Sequence, residues 1–126
     1  MQENRIIRKA CLGDAPRVYA LILEATKSGK ILKRSRAEVK SLIHRFWIAE
    51  ENGEMVGCCA LEIYSRKLAE IRSLAVHSAH HNKGIASSLV AHCVSEAKKK
   101  KIYEVLAITD RENIFKRFGF AEQLNG

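Results

Sequence analysis

Glu70, a polar stretch at His80-His81-Asn82-Lys83, and small residues at Gly84 and Ala86 fall within one segment, AEIRSLAVHSAHHNKGIASSLV, running from Ala69 to Val90. Its first part has the apolar content of a strand, and its last part has helical spacing. The polar loop between them therefore opens a helix. Backbone N–H groups at a helix start lack intrahelical partners, and the helix dipole adds positive charge there, so such a loop suits a phosphate. Gly84 and Ala86 would let a pyrophosphate approach the backbone, Lys83 adds a cation, and Ser87 and Ser88 add hydroxyls. Glu70, on the strand that enters the loop, is a carboxylate placed to act as a general base. Plainer readings exist: Gly84 as a helix-start glycine, Ala86 as a helix former, and Glu70 paired with Arg72 or a lysine on a solvated face.

Other residues could contribute. Arg34, Ser35 and Arg72 could hold a carboxylate, since a guanidinium offers two parallel donors. Ser35 also has a structural role, because Ser35 and Glu38 form the S-x-x-E pattern of a capping box. Glu62 could bind an amine or face solvent, and the reading favours solvent. His77, His80 and His81 lie close together, yet no helical H-E-x-x-H pattern accompanies them, so no metal is expected. His44 and His92 read as helix-surface residues. Cys11, Cys58, Cys59 and Cys93 include no C-x-x-C pair, which argues for reduced thiols over a zinc or disulfide framework.

The whole chain frames these residues. Its 126 residues fit a single domain, 1–126, and the 47% hydrophobic content argues against disorder. No apolar run approaches the roughly 20 residues of a membrane span, and the N-terminus lacks a signal-peptide pattern, so a soluble cytoplasmic protein is expected. The formal charge of +8 favours anionic partners, but only 6% of residues are aromatic and no nucleic-acid reader motif is present. Nucleic-acid binding is thus the weaker alternative.

The elements that must position the candidates follow from pattern. Arg5 to Ala10 reads as a strand. Asp14, ahead of Pro16, starts a helix carrying Val18, Leu21, Ile22 and Ala25, which Ser28-Gly29 ends. A second helix runs from Ser35 with the stripe Val39, Leu42, Ile43 and Phe46. Strands Trp47 to Glu50 and Met55 to Tyr64 flank an Asn52-Gly53 hairpin turn. Then come a strand Ala69 to His77, the loop Ser78 to Lys83, a helix from about Gly84 to Lys100 and a strand Ile102 to Thr109. A short helix Glu112 to Phe118 and a strand from Phe120 to Leu124 close the chain. The order β-α-α-β-β-β-α-β-α-β implies an α+β fold, a mixed central sheet with helices on both faces.

The loop resembles the Q/R-x-x-G-x-G/A motif of the GNAT acetyltransferases, with His81, Gly84 and Ala86 in its places, and the late F-x-x-F-G-F at Phe115 to Phe120 fits the same family. Leu32 to Arg36, Phe46 to Glu50, Gly57 to Leu61 and Ala69 to Val76 also resemble short amino-acid N-acetyltransferases of the N-acetylglutamate synthase kind. The resemblance implies acetyl-CoA as co-substrate, held by Leu74, Ala75 and Val76 at its thioester, by His81, Asn82, Lys83, Gly84, Ile85, Ala86 and Ser87 at its phosphates, and by Asn113 and Phe115. It implies Glu70 as the base and a primary amine as acceptor, the α-amine of an amino acid such as glutamate. The chain departs from the family in three ways. An imidazole stands at His81 where the family has Arg or Gln. Phe115 occupies the place of a tyrosine general acid. The usual C-terminal strand pair is cut short at Gly126. A CoA-binding module without catalysis is therefore a second reading, and homodimerisation is left open.

Overall fold

The computed structural model describes residues 4–29, 31–108 and 115–119. Six strands form one sheet in the order of the chain: β1 (Arg5–Lys9), β2 (Phe46–Glu51), β3 (Glu54–Ile63), β4 (Leu68–Val76), β5 (Glu104–Ile108) and β6 (Phe115–Gly119). All neighbours are antiparallel except β4 and β5, which are parallel and joined by the crossover helix α3 (Ile85–Lys99). Helices α1 (Ala15–Thr26) and α2 (Arg36–Leu42) precede β2. The Asn52-Gly53 turn has φ of 53° and 85°, the doubly positive conformation a tight hairpin needs.

Two apolar layers hold this together. Val18, Leu21 and Ile22 of α1 and Val39 of α2 bury against Phe46, Ile48, Cys58 and Ala60 on one face of the sheet. Ile85, Leu89 and Cys93 of α3 bury against Cys59, Leu61, Ile71 and Val105 on the other. The adjacent Cys58 and Cys59 thus point to opposite faces, as strand alternation requires. Gly57 lets α3 come close: a Cβ there would lie 3.1 Å from both Ile85 Cγ2 and Leu89 Cδ1.

Three elements differ from expectation. Phe46 starts β2 and does not extend the second helix, because its pairing with Ala60 and full burial belong to the sheet. Residues 115–118, expected in a short helix, lie in β6, where they pair with β5 from Ile108↔Phe115 to Glu104↔Gly119. Phe115 and Phe118 have helical spacing, but the open edge of β5 offers ladder hydrogen bonds, and tertiary pairing overrides a pattern this short. Residues 112–114 of that expected helix, and the expected strand from Phe120 to Leu124, lie outside the described residues. Asp14 does occupy the N-cap of α1, yet its side chain makes no cap hydrogen bond there.

Asp14 instead accepts from Arg8 Nη1 at 2.9 Å and Nη2 at 3.1 Å, and from the Cys11 N–H at 2.8 Å. Arg8 above all holds this carboxyl down at about 2. Its folded value lies below the ordinary value of about 3.9, so the pair stabilises the fold above pH 4, and that contribution disappears as pH falls toward 2. Asp14→Asn is expected to lose about 1–2 kcal/mol at pH 7 and to match the parent near pH 2, as urea denaturation across that range would measure.

Candidate functional site

The site is organised by an irregularity in β4. Cys58 pairs with Ala75 and Ala60 with Arg72, so Ser73 and Leu74 together oppose Cys59 alone. Ser73 takes φ 57°, the left-handed conformation of a bulge residue. The extra residue reverses the alternation. Ala69 and Ile71 before it face α3, and so do Leu74 and Val76 after it, while Ala75 faces α1 and α2. Sheet parity then puts Glu70 and Arg72 on the α1/α2 face, beside Glu62 of β3 and Tyr64 just past its end.

On that face the polar groups form one cluster. Tyr64 Oη donates to Glu70 Oε1 at 2.7 Å. Burial first, and then the Glu70 carboxylate, hold the Tyr64 phenol above its ordinary value. Arg34 Nε donates to Ser73 Oγ at 2.7 Å, and Arg34 Nη2 donates to Glu62 Oε2. Arg72 Nε lies 3.9 Å from the same Glu62 oxygen. Glu62 therefore does not face solvent as expected. Its side chain is 13% exposed and the Arg34 side chain 6%, because a guanidinium folded over the sheet shields both. Ser35 is the α2 cap, with its Oγ accepting from the Glu38 N–H at 3.0 Å and its N–H donating to Glu38 Oε1 at 2.9 Å. That backbone N–H holds the Glu38 carboxyl below its ordinary value.

Beyond Ile71↔Ala107 no described β5 residue pairs with β4, so the edge of residues 73–76 is open among the described residues. Ala75 is paired with Cys58, so its N–H turns the other way, toward β3, and His77 N–H donates to Val56 C=O at 2.8 Å. Alternation then turns the Val76 N–H and C=O outward to the open edge. His81 Nε2 donates to that Val76 carbonyl at 2.8 Å, which brings the start of the loop onto the strand end. Of the three residues expected at the thioester, Leu74 and Val76 therefore aim N–H groups at the open edge and Ala75 does not. Burial pushes the Cys58 thiol up to about 12, and its Sγ donates to Ser73 C=O at 3.6 Å. A neutral thiol thus plugs the bulge.

The loop then passes through left-handed Asn82 (φ 65°) and Gly84 (φ 80°) into α3. The first helical bond of α3 in this stretch is Ser88 N–H to Gly84 C=O, which leaves the N–H groups of Ile85, Ala86 and Ser87 without intrahelical acceptors. Among the described residues, its chain neighbours aside, nothing lies within 4 Å of where a Gly84 Cβ would be, which leaves the backbone open enough for a phosphate. A groove of about 370 Å³ between α1 and the end of β4 is lined by Leu21, Glu24, Leu74, Val76, Ser78 and His81, connecting the strand end with the loop. Asn113 lies outside the described residues, and of Phe115 only the backbone position in β6 is given.

Glu51 holds the loop in place and carries no sequence signal of its own. Its side chain is 1% exposed at the end of β2. Arg5 donates to Oε2 from Nε at 3.0 Å and Nη2 at 2.9 Å, while His80 Nδ1 faces Oε1 at 2.8 Å and Lys83 Nζ lies 3.7 Å from it. Arg5 Nη2 also donates to the Lys83 carbonyl at 3.0 Å. Lys83, expected as a phosphate cation, is thus shared with an internal carboxylate. His92, expected on the surface, packs its ring 5.1 Å from Trp47. Among the described residues no group of three or more His, Cys, Asp or Glu converges as a metal site, and no helix is long and apolar enough to cross a membrane.

A model of the acetyltransferase (GNAT) domain matches residues 43–122. A Chlorobaculum tepidum protein named as an uncharacterized N-acetyltransferase is 37% identical over 116 residues, covering 92% of this chain and 75% of that protein. The Mycobacterium tuberculosis amino-acid acetyltransferase is 31% identical over 93% of this chain and 68% of its own length. The N-acetylglutamate synthase of Neisseria gonorrhoeae, solved with coenzyme A and N-acetyl-glutamate, superimposes with a TM-score of 0.78 at 32% identity. That match covers 86% of this chain but 26% of the synthase, so this chain spans about a quarter of it.

Removing one partner of a buried ion pair typically costs about 3–5 kcal/mol, because it leaves the other charge uncompensated. Glu51→Gln is therefore expected to lower the unfolding free energy by about 3 kcal/mol and to speed amide exchange across residues 80–84. Urea denaturation and hydrogen-exchange mass spectrometry measure the two effects.

Proposed function

This chain belongs to the GNAT acetyltransferase family and is an acetyl-CoA-dependent acetyltransferase, and from that premise we propose that its acceptor is the α-amine of an amino acid, with Glu70 as the base. The observation that carries this reading is the bulge at Ser73. It puts a carboxylate on one side of β4 and outward backbone N–H groups on the same strand, four to six residues further along. An amine attacking a thioester at the open edge would have Glu70 on the face from which its proton must leave. Tyr64 bonds one oxygen of Glu70, which fixes the carboxylate and leaves its other oxygen for the amine, directly or through a water.

The open-edge N–H groups of Leu74 and Val76 suit the thioester oxygen, whose negative charge grows in the transition state. The α3 N-terminus and the exposed Gly84 backbone suit the pyrophosphate. Acetyl-CoA supplies an already activated acyl group, so these residues contribute chiefly by holding two reactants in register. The relatives named for amino-acid acetylation support the acceptor class, and Arg72, 31% exposed on the Glu70 face, is available for an α-carboxylate.

Acetyl-CoA at a hundredfold its dissociation constant is expected to stabilise the fold by about 2.7 kcal/mol, read as a melting shift. Glu70→Gln should keep that shift and lose about 10²–10⁴ in turnover on amino acids, with partial recovery at high pH where the amine deprotonates unaided. A normal rate in Glu70→Gln would remove Glu70 from the reaction, and a bound cofactor with no acetyl transfer to any amino acid would leave a binding module.

A further inference from the structure

The charge balance around Glu70 bears on which amino acid fits. A dicarboxylate acceptor brings two negative groups, and each is held most strongly by a cation with free donors. Among the described residues the cluster contains two guanidinium groups, Arg34 and Arg72. Arg34 is committed: its side chain is 6% exposed, its Nη2 is on Glu62 and its Nε is on Ser73 Oγ. An acceptor carboxylate could take Arg34 only by displacing Glu62, whose side chain is itself 13% exposed and would be left without its main partner. Arg72 is more accessible and shares the Glu62 oxygen at 3.9 Å. Glu70 faces the same region, and the capping carboxylate of Glu38 lies near both arginines. The described part of the cluster therefore matches one further carboxylate and opposes a second.

From this we infer that the acceptor is an amino acid with an uncharged side chain, and that Glu62 excludes dicarboxylates by neutralising Arg34. The inference rests on the amino-acid acceptor reading above and narrows it. Glu62 acts here as a specificity residue: it touches no reacting atom in this account, and its effect is a choice between acceptors. An uncharged side chain meets the Tyr64 phenol and the already paired Glu62 without requiring a counter-ion. Glutamate would place its side-chain carboxylate against Glu62 itself, where repulsion and lost hydration both oppose it.

The test compares kcat/KM for acetyl transfer to glutamine, methionine, leucine, glutamate and aspartate by the full chain and by Glu62→Gln. Glutamine and glutamate are matched in shape, so their ratio isolates the charge. In the parent, glutamine is expected to exceed glutamate by tenfold or more. In Glu62→Gln, where Arg34 loses its internal partner, the ratio should move at least tenfold toward glutamate, carried by a lower KM for glutamate with kcat little changed. A parent that prefers glutamate, or a folded Glu62→Gln whose ratio equals that of the parent, overturns the inference while leaving the amino-acid reading intact. No transfer to any amino acid overturns the amino-acid reading itself, and the inference with it. The parent ratio alone decides the matter if Glu62→Gln fails to fold.

Discussion

At Ser73 the chain accepts a left-handed backbone without glycine, at a typical cost of about 1–2 kcal/mol, and the face that each later residue of β4 presents depends on it. An unbulged β4 would alternate without interruption and place Ala75 on the same face as Ile71. The outward N–H groups of Leu74 and Val76 would then turn toward the partner strand. The neighbours hold the distortion in place. Arg34 bonds the Ser73 hydroxyl, and the Cys58 thiol bonds its carbonyl. Both contacts come from residues distant in the chain, so β3 and the loop before α2 together brace the bulge.

Local signals in the sequence were accurate where local physics decides. The Asn52-Gly53 turn, the Ser35–Glu38 capping box and the glycine start of α3 each depend on a few neighbouring residues, and each is present. The loop at His80 to Ala86 was readable for the same reason. The bulge was not, since serine carries no preference for positive φ. The role of Glu51 was hidden because its partners are 46 residues before it and 29 after it. A charged residue at a strand end ordinarily reads as solvated. Glu62 was misread on the same grounds, with its partner 28 residues away. The late helix failed differently: Phe115 and Phe118 fit a helical stripe, and only the free edge of β5 gives a reason to prefer a strand.

Two largely buried glutamates thus do opposite work on opposite faces of one sheet. Glu51 gathers cations from β1 and the loop, and so fixes the geometry of the loop that enters α3. Glu62 occupies the Arg34 guanidinium on the α1/α2 face, and in the proposed reading so removes a charge that an acceptor could otherwise use. In a chain with eight more cations than anions, the placement of the few acids matters more than the total. Glu96 follows the same rule at lower stakes, accepting from Trp47 Nε1 at 2.8 Å and Lys9 Nζ at 3.3 Å where α3 crosses the sheet.

Gly57 has a mechanical consequence. Its missing side chain seats Ile85 and Leu89 directly on the backbone of β3, so the first turns of α3 rest on a surface with no rotamers to give way. A helix of 15 residues is about 22 Å long. Farther along, Cys93 and Ala97 bury in the same core and Glu96 bonds Trp47 and Lys9, so the helix is a strut seated along its length rather than at one end. The three lysines that finish it, Lys98 to Lys100, lie in solvent beyond the last of these supports, and what solvent or salt does to them meets the strut before it meets the amides of Ile85 to Ser87.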